Sequence, residues 1–216
     1  MSVKPKIMTV YGTRPEAIKV APVVSALQND DRFESVVVST GQHKEMLEQV
    51  NKRFGITPDH DMALMKPGQT LNELVSRAIQ GLDPIIEEEK PDVIVSQGDT
   101  STAMVAALAG FHKGVKVVHL EAGLRTGNIF SPFPEEANRK IIGQITSLHL
   151  APTNESRENL RRENFRSKDI VVTGNTVIDA LLAASEWDVQ FEDPRLETLR
   201  NSDKKVVLVT THRREN

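Results

Sequence analysis

DVIVSQGDTSTAMVAALAGFHKGVKVVHL, from Asp92 to Leu120, is the stretch that decides the fold. Asp92–Gln97 is an apolar, β-rich run that ends in Gly98-Asp99-Thr100. Ser101–His112 follows with small residues, suited to close packing on a sheet, and Val115–Leu120 is a second apolar run. Strand, helix and strand in this succession make a parallel unit, and strands apolar almost throughout are covered on both faces. The alternation continues in both directions. Toward the N-terminus, Lys6–Tyr11 reads as a strand ended by Gly12. Glu16–Gln28 then places Ile18, Val20, Ala21, Val24 and Leu27 at helical spacing. Phe33–Thr40 is a strand, His43–Phe54 a helix and Gly55–Gln69 a loop. Thr70–Glu88 is a helix whose Thr70 and Glu73 form a capping-box pattern. Toward the C-terminus come helix Pro134–Thr146, strand Leu148–Ala151, helix Asn154–Arg162, strand Ile170–Thr173 and helix Thr176–Ala184. The predicted class is α/β, with a doubly wound parallel sheet.

The totals narrow the function. The chain has 216 residues and a formal charge of -3, enough for one full core, and its mild acidity argues against broad nucleic-acid or membrane binding. No apolar run is long enough to span a bilayer. Ile7–Tyr11 is too short for a signal-peptide core, so the reading is a cytoplasmic protein. There are no cysteines, which removes disulfides, thiolate nucleophiles and cysteine zinc sites. Residues 1–185 are expected to form a first domain and 186–203, charged and holding Pro194, a connector with a short helix. Residues 204–216 (KKVVLVTTHRREN) are expected to be the first strand of a second α/β domain otherwise absent.

Downstream of the deciding stretch lies VVHLEAGLRTGNIFSPFPEEANRK, Val117–Lys140. It reads as a strand end, a long polar loop carrying Glu121 and Arg125, and a helix start carrying Glu135 and Glu136. Strand C-termini are where open α/β sheets present ligand-binding residues. Each acid also has an ordinary reading: Asp99 as a helix cap, Glu121 in a salt bridge with Arg125, Glu135 and Glu136 favoured by a helix dipole. Three acidic sites on three loops of one sheet edge point further, because neighbouring carboxylates can divide acid and base roles. The turn Gly12-Thr13-Arg14-Pro15-Glu16 joins the first strand to the first helix. There a helix N-terminus, Arg14 and Lys19 could meet an anion, or could be surface. Neither the GxGxxG fingerprint nor the GxxxxGK[ST] loop is present, which counts against NAD and ATP. His43, His60, His112 and His149 show no metal-ligand spacing. His212 follows an apolar run with Arg213 and Arg214 beside it and could face an anion or cap a sheet edge.

YGTRPEAIKVAP, TGQHKEML, QGDTSTAM, HLEAGLRTG, SPFPEEANR, TGNTVIDAL and THRREN, spread along the whole chain in this order, together resemble the bacterial non-hydrolysing UDP-N-acetylglucosamine 2-epimerases. The resemblance implies the first half of a two-domain, GT-B-like architecture of Rossmann-like domains, with the active site between them. It implies interconversion of UDP-GlcNAc and UDP-ManNAc without cofactor or metal, by UDP elimination and re-addition through 2-acetamidoglucal. It implies Asp99, Glu121, Glu135 and His212 as catalytic residues, Arg14, Lys19 and Arg213 as substrate-binding residues, and a homodimer when complete. Gln42 and Glu135 match positions used for allosteric activation in some members. Glu45 and Gly68 depart from those members, which have Gln and Arg there. Two alternatives stand beside this reading. One is a glycosyltransferase of the same architecture, which needs a single base. The other is an inactive fragment that binds nucleotide sugar.

Overall fold

The computed structural model describes residues 4–41, 44–66, 68–191, 193–203 and 205–209, with backbone alone at 44–46. Two compact units are present, Met1–Leu181 and Leu182–Asn216.

The first unit is built on strands β1 (Lys6–Tyr11), β2 (Glu34–Ser39), β3 (His60–Asp61), β4 (Val93–Gln97), β5 (Lys116–Leu120), β6 (Leu148–Ala151) and β7 (Ile170–Val172). They form a seven-stranded sheet in the order β3-β2-β1-β4-β5-β6-β7, and every pairing is parallel. The predicted doubly wound parallel sheet is therefore the observed one, and the unit is Rossmann-like. Helices α1 (Arg14–Gln28), α2 (Lys44–Phe54), α3 (Leu71–Glu89), α4 (Ser101–His112), α5 (Glu135–Ile145) and α6 (Asn154–Arg162) connect the strands, and α7 (Thr176–Ser185) follows β7. His60–Asp61 corrects the expectation that Gly55–Gln69 is all loop: Asp61 pairs beside Ser39 at the sheet edge, a contact too short to leave an alternating pattern.

Alternation along β1 explains the two layers. Ile7 and Tyr11 face α1 and α2, in a cluster with Val20, Val24 and Leu47. Met8 and Val10 face α3 and α4, packing with Leu82, Ile86, Ile94 and Val105. Small residues let α4 lie close on the sheet: a Cβ at Gly110 would sit 2.7 Å from Ile94 Cδ1. Both capping expectations hold for α3, where Thr70 Oγ1 accepts from Glu73 N–H and Glu73 accepts from Thr70 N–H.

The order of the sheet positions the site. The chain winds outward from β1 to β3, then crosses back to β4 on the other side of β1 and winds to β7. The direction of winding reverses between β1 and β4, and the loops leaving their C-termini diverge there and open a crevice.

In the second unit, α8 (Pro194–Arg200) starts at Asp193, whose carboxylate accepts from Arg195 N–H. Arg200 holds the preceding segment through Val189 O and Asp188. The strand expected over Lys204–Thr211 is not formed by the described residues 205–209, whose side chains are exposed. A strand exists by pairing, and no partner strand lies beside them among the described residues.

Candidate functional site

The turns after β1, β4 and β5 and the start of α5 carry three polar clusters, around Glu16, Asp99 and Glu121. The first is the turn after β1. Thr13 caps α1, and Glu16 folds back beneath it: its Oε2 accepts from Gly12 N–H at 2.9 Å and Thr13 N–H at 2.7 Å. Glu16 is buried, and burial pushes its carboxyl above the ordinary carboxylate range. The backbone donors at this helix N-terminus thus already hold an anion, the protein's own. Arg14 is exposed and makes no hydrogen bond or ion pair with a described residue. Gly12 has no room for a side chain, since a Cβ would lie 2.1 Å from Thr40 Oγ1 and 2.9 Å from Thr102 Oγ1.

The second turn follows β4. Thr100, rather than Asp99, caps α4, and its hydroxyl also donates to Glu16 Oε1 at 2.5 Å. Asp99 is instead clamped by Arg139 of α5, with Nε and Nη2 on Oδ2 at 2.9 and 2.6 Å. Asn138 Nδ2 donates to the Asp99 carbonyl. Beneath this turn, His119 Nε2 lies 2.7 Å from the Gly98 carbonyl. A carbonyl only accepts, so Nε2 carries a proton. Burial lowers the ring's pKa to about 4.

The third turn follows β5. Glu121 has a left-handed backbone, φ 68°, which ends the strand and points the residue off the ladder. Its carboxylate collects three donors: Lys19 Nζ at 2.8 and 2.6 Å, Gln97 Nε2 at 2.6 Å and Asn175 Nδ2 at 3.0 Å. The expected Glu121–Arg125 salt bridge is absent. Arg125 pairs with Glu163 at 2.8 and 2.7 Å, because the chain reverses at Ala122-Gly123 toward α6, where Asn159 holds the Gly123 carbonyl.

The fourth is the start of α5. Glu136 is fully buried and receives Arg139 Nη1 at 3.0 Å and Gly127 N–H at 3.3 Å. Burial pushes its carboxyl up, but Arg139 and the Thr126 and Gly127 amides outweigh that and hold it below the ordinary range. Glu135 Oε2 is buried with no hydrogen-bond partner among the described residues.

Glu121 and Lys19 thus share one cluster and Asp99 stands in another with Arg139, while the side chains of Glu135 and Arg14 make no hydrogen bond with a described residue. Gln42, His212 and Arg213 lie outside the described residues. Sequence reasoning assigned nothing to Gln97, Asn175, Arg139 or Glu16. The detectable signal was a polar residue closing an apolar strand: Gln97 ends VIVSQ and is buried. Among the described residues no group of three or more His, Asp or Glu is arranged to hold a metal ion. No helix of described residues is long and apolar enough to cross a membrane.

The arrangement offers carboxylates of different environments and cations at one sheet edge. The family model described as UDP-N-acetylglucosamine 2-epimerase matches residues 25–216. The chain is 51% identical to the UDP-N-acetylglucosamine 2-epimerase of Yersinia pestis over 98% of its own length and 57% of the relative's. A UDP-GlcNAc 2-epimerase from Neisseria meningitidis, solved bound to UDP-GlcNAc, superposes with a TM-score of 0.81 at 45% identity, over 91% of this chain and 50% of that one. The Methanocaldococcus jannaschii enzyme, solved with UDP-GlcNAc and UDP, gives 0.79 at 32%, over 85% and 51%. The chain thus spans little more than half the length of these relatives. With the family model matched over residues 25–216 and the sheet shared with the solved relatives, the chain belongs to the UDP-N-acetylglucosamine 2-epimerase family.

Proposed function

We propose that the complete gene product interconverts UDP-GlcNAc and UDP-ManNAc. The observation that carries this reading is the set of polar clusters at the strand C-termini: Glu121 held by Lys19 and Gln97, and Asp99 held by Arg139 of α5, the helix that starts at Glu135. The C2 proton of the sugar has no adjacent carbonyl to acidify it. Its removal is therefore coupled to departure of UDP from C1. The C1–O bond breaks with its electron pair leaving on UDP, the C2–H pair becomes the C1=C2 double bond, and a base takes the proton. In the return step UDP oxygen bonds C1 while an acid delivers a proton to the other face of C2. Two faces require two proton-transfer groups, and positive charge at C1 favours a further carboxylate. Glu135, with one buried oxygen lacking a donor, suits proton transfer. Glu121 and Asp99, each held by cation and amide groups, suit fixed positions around C1 and C2. Arg14 has no described partner to release before meeting a diphosphate. His212 and Arg213 are assigned to the same diphosphate through the resemblance, and Gln42 to an activating site.

We further propose a cytoplasmic homodimer, checked by light scattering of the complete gene product. The resemblance assigns residues 1–185 to one Rossmann-like domain and 204–216 to the start of a second, and we propose that the 216-residue chain alone is inactive. A glycosyltransferase of the same architecture needs one base, and three distinct carboxylates favour the epimerase. The test is a proton NMR time course in D2O with UDP-GlcNAc. Loss of the sugar H2 signal with appearance of a manno-configured UDP-sugar supports the reading. No exchange with the complete gene product overturns it.

A further inference from the structure

Glu16 stands where the winding of the sheet reverses, and it touches both sides of the crevice. On the β1 side its Oε2 holds the Gly12 and Thr13 amides, the two residues before Arg14. On the β4 side its Oε1 holds the hydroxyl of Thr100, the residue after Asp99. No backbone pairing can join these loops, because strand pairing of β1 with β4 stops at Val10 and Ser96. The link is also dry: Glu16 is 3% exposed. Its burial without a cationic partner is unusual for a carboxylate whose only apparent task is a helix cap, a task most caps perform at the surface.

We propose that Glu16 is a positioning residue, a buried cross-brace that fixes the Arg14 turn against the Asp99 turn. This rests on the epimerase reading, in which Arg14 meets the diphosphate on C1 and Asp99 stands near the reacting carbons. C1–O cleavage and C2 proton transfer are coupled, so the turn gripping the leaving group and the turn carrying a carboxylate have to keep one spacing through the step. A misplacement of about 1 Å costs on the order of a hundredfold in rate. The brace serves that spacing without touching substrate. Glu16 also fills the amide cradle that in other Rossmann-like sheets receives a phosphate. This leaves anion contact at this turn to side chains.

The test measures H2 exchange of UDP-GlcNAc in D2O, with kcat and KM, and UDP binding by calorimetry, in the complete gene product. Variants are Glu16→Ala, Glu16→Gln, Thr100→Val, Thr100→Ser and the double Glu16→Ala/Thr100→Val. Glu16→Gln keeps an oxygen for the two amides and Thr100→Ser keeps the hydroxyl, so both are expected within about fivefold of wild type. Glu16→Ala and Thr100→Val are expected to lose about a hundredfold in kcat, with KM and UDP affinity within about threefold. The double variant is expected to match the worse single, because both cut the same link. If Glu16→Ala does not fold, the Thr100→Val and Thr100→Ser pair decides. Near-wild-type kcat in Thr100→Val, or losses that multiply in the double variant, overturns the brace. Wild type without H2 exchange overturns the epimerase reading instead, and the two failures are told apart by that control.

Discussion

Lys19 Nζ lies within 2.8 Å of both carboxylate oxygens of Glu121, a contact made across 102 residues of sequence. It ties the middle of α1 to the end of β5 over the top of β1 and β4. Lys19→Met leaves Glu121 with two amide donors and no cation. The expected loss is about 1–3 kcal/mol of stability and at least about a hundredfold in turnover. Urea midpoints and H2 exchange rates check both numbers. Near-wild-type exchange would take Lys19 out of the site.

Glu135→Gln separates chemistry from folding. The carboxylate oxygen Oε2 is buried without a donor among the described residues, so its neutral replacement is expected to leave stability unchanged or raise it by up to about 1 kcal/mol. Turnover is expected to fall by about a thousandfold. A variant as active as wild type, at any stability, removes Glu135 from the proton-transfer set.

His119 and His149 are buried side by side in the register of β5 and β6, each with a pKa lowered to about 4 by burial. Their folded pKa values lie below the unfolded value, so neither contributes to the pH dependence when neutral in both states, above about pH 6.5. As pH falls from about 6.5 to about 4 the unfolded chain takes up protons first. Stability then drops by on the order of 3 kcal/mol for each histidine, roughly twice that for the pair. His149→Phe, placed against Phe165 at 4.7 Å between ring centroids, should remove about half of that slope. An unchanged slope in urea titrations would place the histidines' protons elsewhere.

Glu163 adds a second, lower window. The Arg125 guanidinium hydrogen-bonded to it, helped by Lys140, brings its pKa down to about 2. A depressed carboxylate stabilises the fold above its unfolded pKa near 4.5, and this is lost as pH falls toward 2. Glu163→Gln should cost about 1–2 kcal/mol at pH 7, after allowance for partial solvent screening, and nothing at pH 2. Equal costs at both pH values would show a packing effect instead.

Gly12→Ala is expected to lose about 2–4 kcal/mol, because the new methyl meets two threonine side chains under the crevice. Thermal unfolding of that variant alone and with Thr40→Ala tests the geometry: relieving Thr40 should recover part of the loss.

How far the sequence reached follows from what each feature depends on. The helices Ser101–His112 and Asn154–Arg162 and the strand Leu148–Ala151 match the expectations residue for residue, since local periodicity and capping set them. Lys204–Thr211 read as a strand from its valines, yet 205–209 form none, because pairing is not a property of the segment alone. Asp99, Glu121 and Glu135 could be singled out by their place at strand and helix ends. Their partners could not. Arg139 to Asp99 spans 40 residues and Asn175 to Glu121 spans 54, and the obvious neighbour Arg125 was already committed to Glu163. Loops decide such contacts by where the sheet carries them.

The left-handed backbone at Glu121 sets two selections against each other. In a saturation library at this position sorted for folded abundance, glycine and asparagine should outrank valine, isoleucine and threonine, which that backbone geometry penalises most. Sorted for turnover, the same library should reject both groups. On the proposed function, a lineage drifting free of catalysis would therefore leave a signature here before anywhere in the hydrophobic layers: a shift at this one codon toward residues that suit the turn and nothing else.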